Sequence, residues 1–171
     1  MKAFAELLER LVYTRARNDK LRLLAEYLRE TPDPDRGWAL AALTDATDFP
    51  AVKSSTIRDA VAQRVDPVLL KLSRDYVGDT AETVALIWPA APVEARSDLS
   101  LGEVVERLQK TTRQSVRKEI ADLLDHLDSS ERFAMLKLAL GGMRIGISAR
   151  LAKTAFAQAF DLPVSEVEEV W

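Results

Sequence analysis

The chain has 171 residues, 47% of them hydrophobic, seven prolines and six glycines, which is enough apolar material for one core and too little glycine and proline for a linker-rich protein. It contains no cysteine, which excludes a disulfide framework and thiol chemistry and agrees with a cytoplasmic protein. A net charge of −3 would by itself argue against a polyanionic partner, so the distribution of charge decides that question.

The first element is an amphipathic helix from Lys2 to about Thr14, with Phe4, Leu7, Leu8, Leu11 and Val12 on its apolar face and Glu6 paired with Arg10 outside. The same opening residues lack the apolar core of a secretion signal and run directly into this charged helix. Asn18 is positioned to cap a second helix through Leu21, Leu24, Tyr27 and Leu28, which must end before Pro32. After the turn Thr31-Pro32-Asp33-Pro34, Asp35 or its neighbours start a short helix with Trp38, Leu40 and Leu43. Residues 45 to 53 are irregular, and Ser54, Ser55 and Thr56 are all competent caps for a helix bearing Ile57, Val61 and Val65.

Asp66-Pro67 places proline at a first helical position, ahead of Leu69, Leu70 and Leu72 and a stop near Gly78. Thr80 can cap a further helix with Val84, Leu86, Ile87 and Trp88, halted by Pro89 and Pro92. The loop to Asp98 is the expected boundary if the single domain of residues 1–171 divides into subdomains 1–90 and 98–171. Ser100 with Glu103 has capping-box spacing. Residues 114–127 carry Val116, Ile120, Leu123, Leu124 and Leu127 on one face, and Ser129 or Ser130 caps the helix of Phe133, Leu136, Leu138 and Leu140 that Gly141 ends. Ser148 to Phe160 and Val164 to Val170 complete the chain, the last with Ser165 and Glu168 at capping-box spacing. No alternating run is long enough for a strand, so the class is all-α, a compact set of helical hairpins.

Two stretches are basic without any acid: Arg107 to Lys118 holds Arg107, Lys110, Arg113, Arg117 and Lys118, and Arg132 to Phe160 holds Arg132, Lys137, Arg144, Arg150 and Lys153. The second surrounds Gly141-Gly142-Met143-Arg144-Ile145-Gly146-Ile147-Ser148, a glycine-bearing turn opening into a helix whose first turns hold Arg150 and Lys153. Such a turn suits a phosphate, because glycines let backbone N–H groups approach closely and a helix start presents unpaired donors. It also fits ordinary punctuation between two helices. A nucleotide loop is disfavoured, since Ile147 stands where its lysine belongs and the preceding element has helical rather than strand periodicity.

Sliding residues 38–66 forward until Trp38 meets Phe133, an offset of 95, aligns Ala39 with Ala134, Leu43 with Leu138, Ala60 with Ala155, Gln63 with Gln158 and Asp66 with Asp161. Val52 then falls on Ile147, Lys53 on Ser148 and Arg58 on Lys153. The alternatives are a duplication, with two helix–loop–helix units each aiming a polar loop at a ligand, and chance matching in a chain rich in alanine and leucine.

Phe4-Ala5-Glu6-Leu7-Leu8-Glu9-Arg10-Leu11, Asp48-Phe49-Pro50-Ala51-Val52-Lys53-Ser54-Ser55-Thr56-Ile57-Arg58-Asp59 and Leu138-Ala139-Leu140-Gly141-Gly142-Met143-Arg144-Ile145-Gly146-Ile147-Ser148 resemble the N-terminal DNA-binding domain of ATP-dependent DNA ligases, particularly bacterial multi-domain ones. The resemblance runs nearly end to end and implies a helical domain that cradles nicked double-stranded DNA through the minor groove and both backbones, for replication, repair or recombination. It assigns DNA contacts to Lys53, Ser54 and Ser55 in the first loop and to Arg144, Gly146, Ser148, Arg150 and Lys153 in the second. Such contacts position a protein without reading sequence. Lys110, Arg113 and Arg117, at helical spacings of three and four, are possible extensions of that surface.

A ligase joins ends through a lysine adenylated in a Lys-x-Asp-Gly motif, and no Asp-Gly occurs here. The resemblance therefore implies a non-catalytic piece, with ATP and Mg expected only for the full ligase and the ligase's own catalytic core as a second partner. No metal, no membrane and no catalytic residue is expected of this chain. His126 between Asp125 and Asp128 reads as surface, and Ser148 lacks the closing glycine of a nucleophile elbow, Arg150 standing there. Trp38, Trp88 and Phe133 read as core anchors. The competing class is a HEAT-like helical module for a protein partner; a helical nuclease or glycosylase would need an acid–base pair or metal cluster that the sequence does not offer.

Overall fold

The structure, a computed structural model, describes residues 1–90, 98–141 and 143–171. Among the described residues there are eleven helices: α1 (Lys2–Tyr13), α2 (Arg17–Glu30), α3 (Asp35–Leu43), α4 (Ser54–Val61), α5 (Pro67–Val77), α6 (Thr80–Ile87), α7 (Leu101–Lys110), α8 (Val116–His126), α9 (Ser129–Leu140), α10 (Ala149–Phe160) and α11 (Val164–Val170). The protein is all-helical, as the periodicity requires. No helix among the described residues is long and apolar enough to cross a membrane. The expected boundary between Pro92 and Asp98 falls for the most part outside the described residues.

The core is built from the apolar stripes of α1, α2, α7 and α8, where Phe4, Leu8, Leu11, Leu24, Leu28, Leu101, Leu108, Ile120, Leu123 and Leu124 are almost fully withdrawn from water. Two stripes are narrower than the sequence suggests. Val12 is about half exposed, and in α5 only Leu70 turns inward while Leu69 and Leu72 face solvent. Arg10 pairs with Glu26 of α2 at 3.8 Å, in place of Glu6 on its own helix.

The offset of 95 reappears in the packing. It carries Ser54, the first residue of α4, onto Ala149, the first of α10, and sets α3 on α9 within a residue at its start. The neighbours are reciprocal: α2 lies on α10 and α8 on α4, α1 on α9 and α7 on α3, α1 on α2 and α7 on α8. Each half thus lays its helices on the other half's. A HEAT-like stack works differently, because each hairpin there touches only its neighbours along the chain; α1 resting on α9 rules that architecture out.

Helix starts follow the strongest acceptor present. Asp79, one residue before Thr80, accepts from the Glu82 N–H at 2.9 Å, and Asp128, ahead of both serines, forms a full capping box with Glu131. A carboxylate at a helix N-terminus outcompetes a hydroxyl because it also meets the positive end of the helix dipole. Asn18, Ser165 and the Ser54–Thr56 trio do not cap: α2 starts after Ala16 and α11 after Pro163, in both cases without a side-chain cap. Asp66, Gly78, Ser100 with Glu103, Gly141 and Ser148 act as their residue types predict.

One cap reaches between the halves. Asp35 of α3 accepts from the N–H of Leu101 at 3.0 Å and of Gly102 at 2.8 Å, while Ser100 takes that of Glu103, so the start of α7 is satisfied from both sides. Gly102 eases this approach, since a Cβ there would stand 3.1 Å from the Asp35 carboxylate and from Pro34 and press both back by a few tenths of an ångström. Asp35→Ala is expected to lower unfolding free energy by about 1–2 kcal/mol, read from a urea midpoint that falls with an unchanged slope.

Candidate nucleic-acid interface

The first loop, residues 45–53, is pinned by two inward side chains, Phe49 and Val52, with the Val52 N–H bonded to the Phe49 carbonyl at 2.8 Å. Lys53 is still extended (φ −127°, ψ 155°), so Ser54, Ser55 and Thr56 become the first three helical residues. Their hydroxyls cannot then reach back as caps, and their backbone N–H groups have no partner among the described residues. Lys53, Ser54 and Ser55 are exposed. Because α4 lies on α8, this junction faces the start of α8 across a cleft lined by Lys53, Ser55, Arg113 and Arg117.

The second loop alternates. Met143 and Ile145 are buried, whereas Arg144 and Gly146 are exposed, so two apolar pegs hold the backbone while the guanidinium is held out. Gly141 and Gly146 have φ of 71° and 70°, and Arg144 itself has φ 49°. A left-handed conformation at a residue with a Cβ costs on the order of 1–2 kcal/mol, and such strain concentrates at ligand sites. The Ile145 carbonyl oxygen accepts from the Lys20 ammonium of α2, and a Cβ on Gly146 would stand 3.0 Å from that same nitrogen. Lys20, Lys137, Arg144 and Gly146 line one cleft. Ser148 Oγ accepts from the Leu151 N–H at 3.2 Å, which leaves the N–H groups of Ala149 and Arg150 unpartnered at the mouth of α10. Arg150 is exposed, and Lys153 lies over the Trp171 ring at 5.5 Å.

Much of the basic charge that the sequence gathers near these loops is compensated by acids arriving from other helices. Arg107 is held between Glu119 and Asp122 of α8, and Lys110 is bonded to Glu106 on its own helix and lies outside the clefts. Arg117 meets Asp59 at 3.8 Å, an exposed and weak pair. Lys137 is 2.5 Å from Asp79. Burial pushes the Asp79 carboxyl up, but the Lys137 ammonium and the N–H groups of Glu82 and Ala81 outweigh it and hold the group below its ordinary range. Arg132 is no surface cation at all: it is 5% exposed and donates to the carbonyls of Leu124, Trp88 and Pro89. Lys53, Arg113, Arg144 and Arg150 have no acidic partner among the described residues.

Lys20 is the residue that sequence reasoning passed over. It sits in a stretch with five bases, Arg10, Arg15, Arg17, Lys20 and Arg22, against the single acid Asp19. That local excess was readable, but only the packing of α2 on α10 shows that it reaches the second loop.

The family model for the DNA ligase N terminus matches residues 1–157, which covers both loops and most of α10. The chain belongs to this family, the N-terminal domain of ATP-dependent DNA ligases. No curated protein matches it significantly.

In this ligase N-terminal domain the remaining candidates have structural duties. Trp88 is buried with its indole N–H bonded to Asp125 at 3.0 Å, and Trp38 and Phe133 pack against the core. The His126 Nδ1 lies 2.7 Å from the Asp122 carbonyl oxygen. Among the described residues no three His, Asp or Glu side chains converge as a metal site. The sequence has no Asp-Gly pair and so no Lys-x-Asp-Gly motif.

Proposed function

We propose that this ligase N-terminal domain grips duplex DNA by its phosphate backbones, without reading sequence, and so anchors an ATP-dependent DNA ligase on nicked DNA in replication, repair or recombination, with the ligase's catalytic core as its protein partner. The observation that carries the reading is where uncompensated charge remains. Acids neutralise Arg107, Lys110 and Lys137, while Lys53 with Arg113, and Arg144 with Arg150, stay without an acidic partner among the described residues beside two loop-to-helix junctions whose leading N–H groups are open. Unpartnered donors and cations are what a phosphate needs, and exposed side chains along open clefts suit a backbone rather than a base edge. Lys53, Ser54 and Ser55 would take one strand's phosphates, with Arg113 and Arg117 beside them. Arg144, Gly146, Ser148, Arg150 and Lys153 would take the other's.

Salt tests this directly. Five phosphate contacts, from Lys53, Arg113, Arg144, Arg150 and Lys153, alone contribute about −4.5 to the slope of log K against log salt, so affinity for a nicked duplex should drop by at least roughly 500-fold between 50 and 200 mM salt. A flat dependence, or no binding at the low end, would remove the reading.

A further inference from the structure

The turn joining α1 to α2 is a basic surface outside the two loops. Arg15 and Arg17 are both exposed and have no acidic partner among the described residues. Their neighbours Arg10 and Arg22 differ, both reaching Glu26, with Arg22 also meeting Asp19. Tyr13, the last residue of α1, is 82% exposed beside them. One turn into α2, Lys20 donates to the Ile145 carbonyl and lines the cleft that holds Arg144. Residues three apart on a helix stand about 5–6 Å apart at Cβ, so Arg17 adjoins Lys20 on the same strip of α2. Arg17 thus leads to Lys20, which shares a cleft with Arg144, while Arg15 lines a neighbouring open hollow with Asp19 and Arg22.

The other half has the matching arrangement. There the turn between α7 and α8 brings Arg113 to the cleft of Lys53, and the contacts of α2 on α10 and α8 on α4 are reciprocal. In one half the helix-joining turn itself lies beside the other half's loop, and in the other the residues flanking the turn, Val12 and Lys20, do.

We propose that the α1–α2 turn is a further backbone-binding element of this domain, with Arg15 and Arg17 contacting successive phosphates beyond the Arg144 loop and Lys20 positioning that loop against them. The proposal rests on the function proposed above. A polyanion with regularly spaced charges is the partner that fits, because the two guanidiniums are exposed and without an acidic partner among the described residues, and the hollow that Arg15 lines opens to solvent, which suits a line of phosphates better than one fixed acid.

The test uses the 171-residue chain with Arg15→Ala/Arg17→Ala, and Arg144→Ala/Arg150→Ala in parallel, titrated with nicked duplexes of two unrelated sequences over a salt series. The expected result for the turn variant is a slope shallower by about 1.8, equal loss on both sequences, and an unchanged thermal midpoint. Arg15→Lys/Arg17→Lys should restore most of the slope, since a phosphate accepts a point charge. If the turn variant binds like wild type while the loop variant is weakened, the turn lies outside the surface and the inference falls with the reading intact. If neither variant alters binding, both fall. If affinity drops with the slope unchanged, the arginines act through the fold or toward an acidic protein partner, and the inference falls.

Discussion

Replacing Arg144 and Arg150 together with alanine is expected to weaken binding of a nicked duplex about a hundredfold at moderate salt while leaving the unfolding midpoint nearly unchanged. Each guanidinium is exposed and without an acidic partner among the described residues, so its removal orphans nothing in the fold. Each charge-assisted contact to a phosphate is worth roughly 1.5–3 kcal/mol, of which the lower end gives about tenfold per residue. The loss should be equal across unrelated sequences, and the salt slope should become shallower by about 1.8. Arg144→Gly separates backbone from side chain. Glycine accepts φ 49° without strain, which offsets the entropy it adds to the unfolded chain, so stability should change by less than about 1 kcal/mol while binding falls as for alanine. A variant set that unfolds the domain while its folded fraction binds normally would make the loop mere punctuation between α9 and α10. Fluorescence anisotropy against salt, alongside thermal unfolding, reads both quantities.

The helices were legible because periodicity and caps agree along most of the chain. Where the reading slipped, the correct signal stood a residue or two away: Asp128 with Glu131 is a better box than anything Ser129 or Ser130 can form, and Asp79 precedes Thr80. The loops were legible as glycine-bearing or serine-bearing bends. Their surroundings were not, since Arg113 meets Lys53, and Lys20 meets Ile145, only through helices that cross between the halves. The same crossing explains the misjudged charge. An acid-free stretch of sequence says nothing about acids one helix away, and Arg107 is matched by Glu119 and Asp122 just past the end of its basic run.

Arg132 is where the difference between a sequence count of cations and a folded one has its largest energetic consequence. It sits in the first turn of α9, reaches the Leu124 carbonyl near the end of α8 at 2.7 Å, and donates at 3.3 and 3.4 Å to the carbonyls of Trp88 and Pro89 just after α6. These are carbonyls that a helix end and a proline-halted segment leave without a partner of their own. Arg132→Met keeps most of the apolar stem volume and deletes all of these donors. Each buried acceptor left unmade costs about 1–3 kcal/mol, and the two longer bonds weigh least, so the variant should lose about 3 kcal/mol of unfolding free energy. Arg132→Lys should recover only part of this, because one ammonium cannot span the fork of three carbonyls. DNA affinity of the folded variant should match wild type with an unchanged salt slope, since a side chain 5% exposed cannot release counterions from a duplex. Urea unfolding and a salt-series titration on the same preparations make the comparison; a stability loss below about 1 kcal/mol with a shallower salt slope would mean that Arg132 turns outward to the DNA and that the interior assignment is wrong.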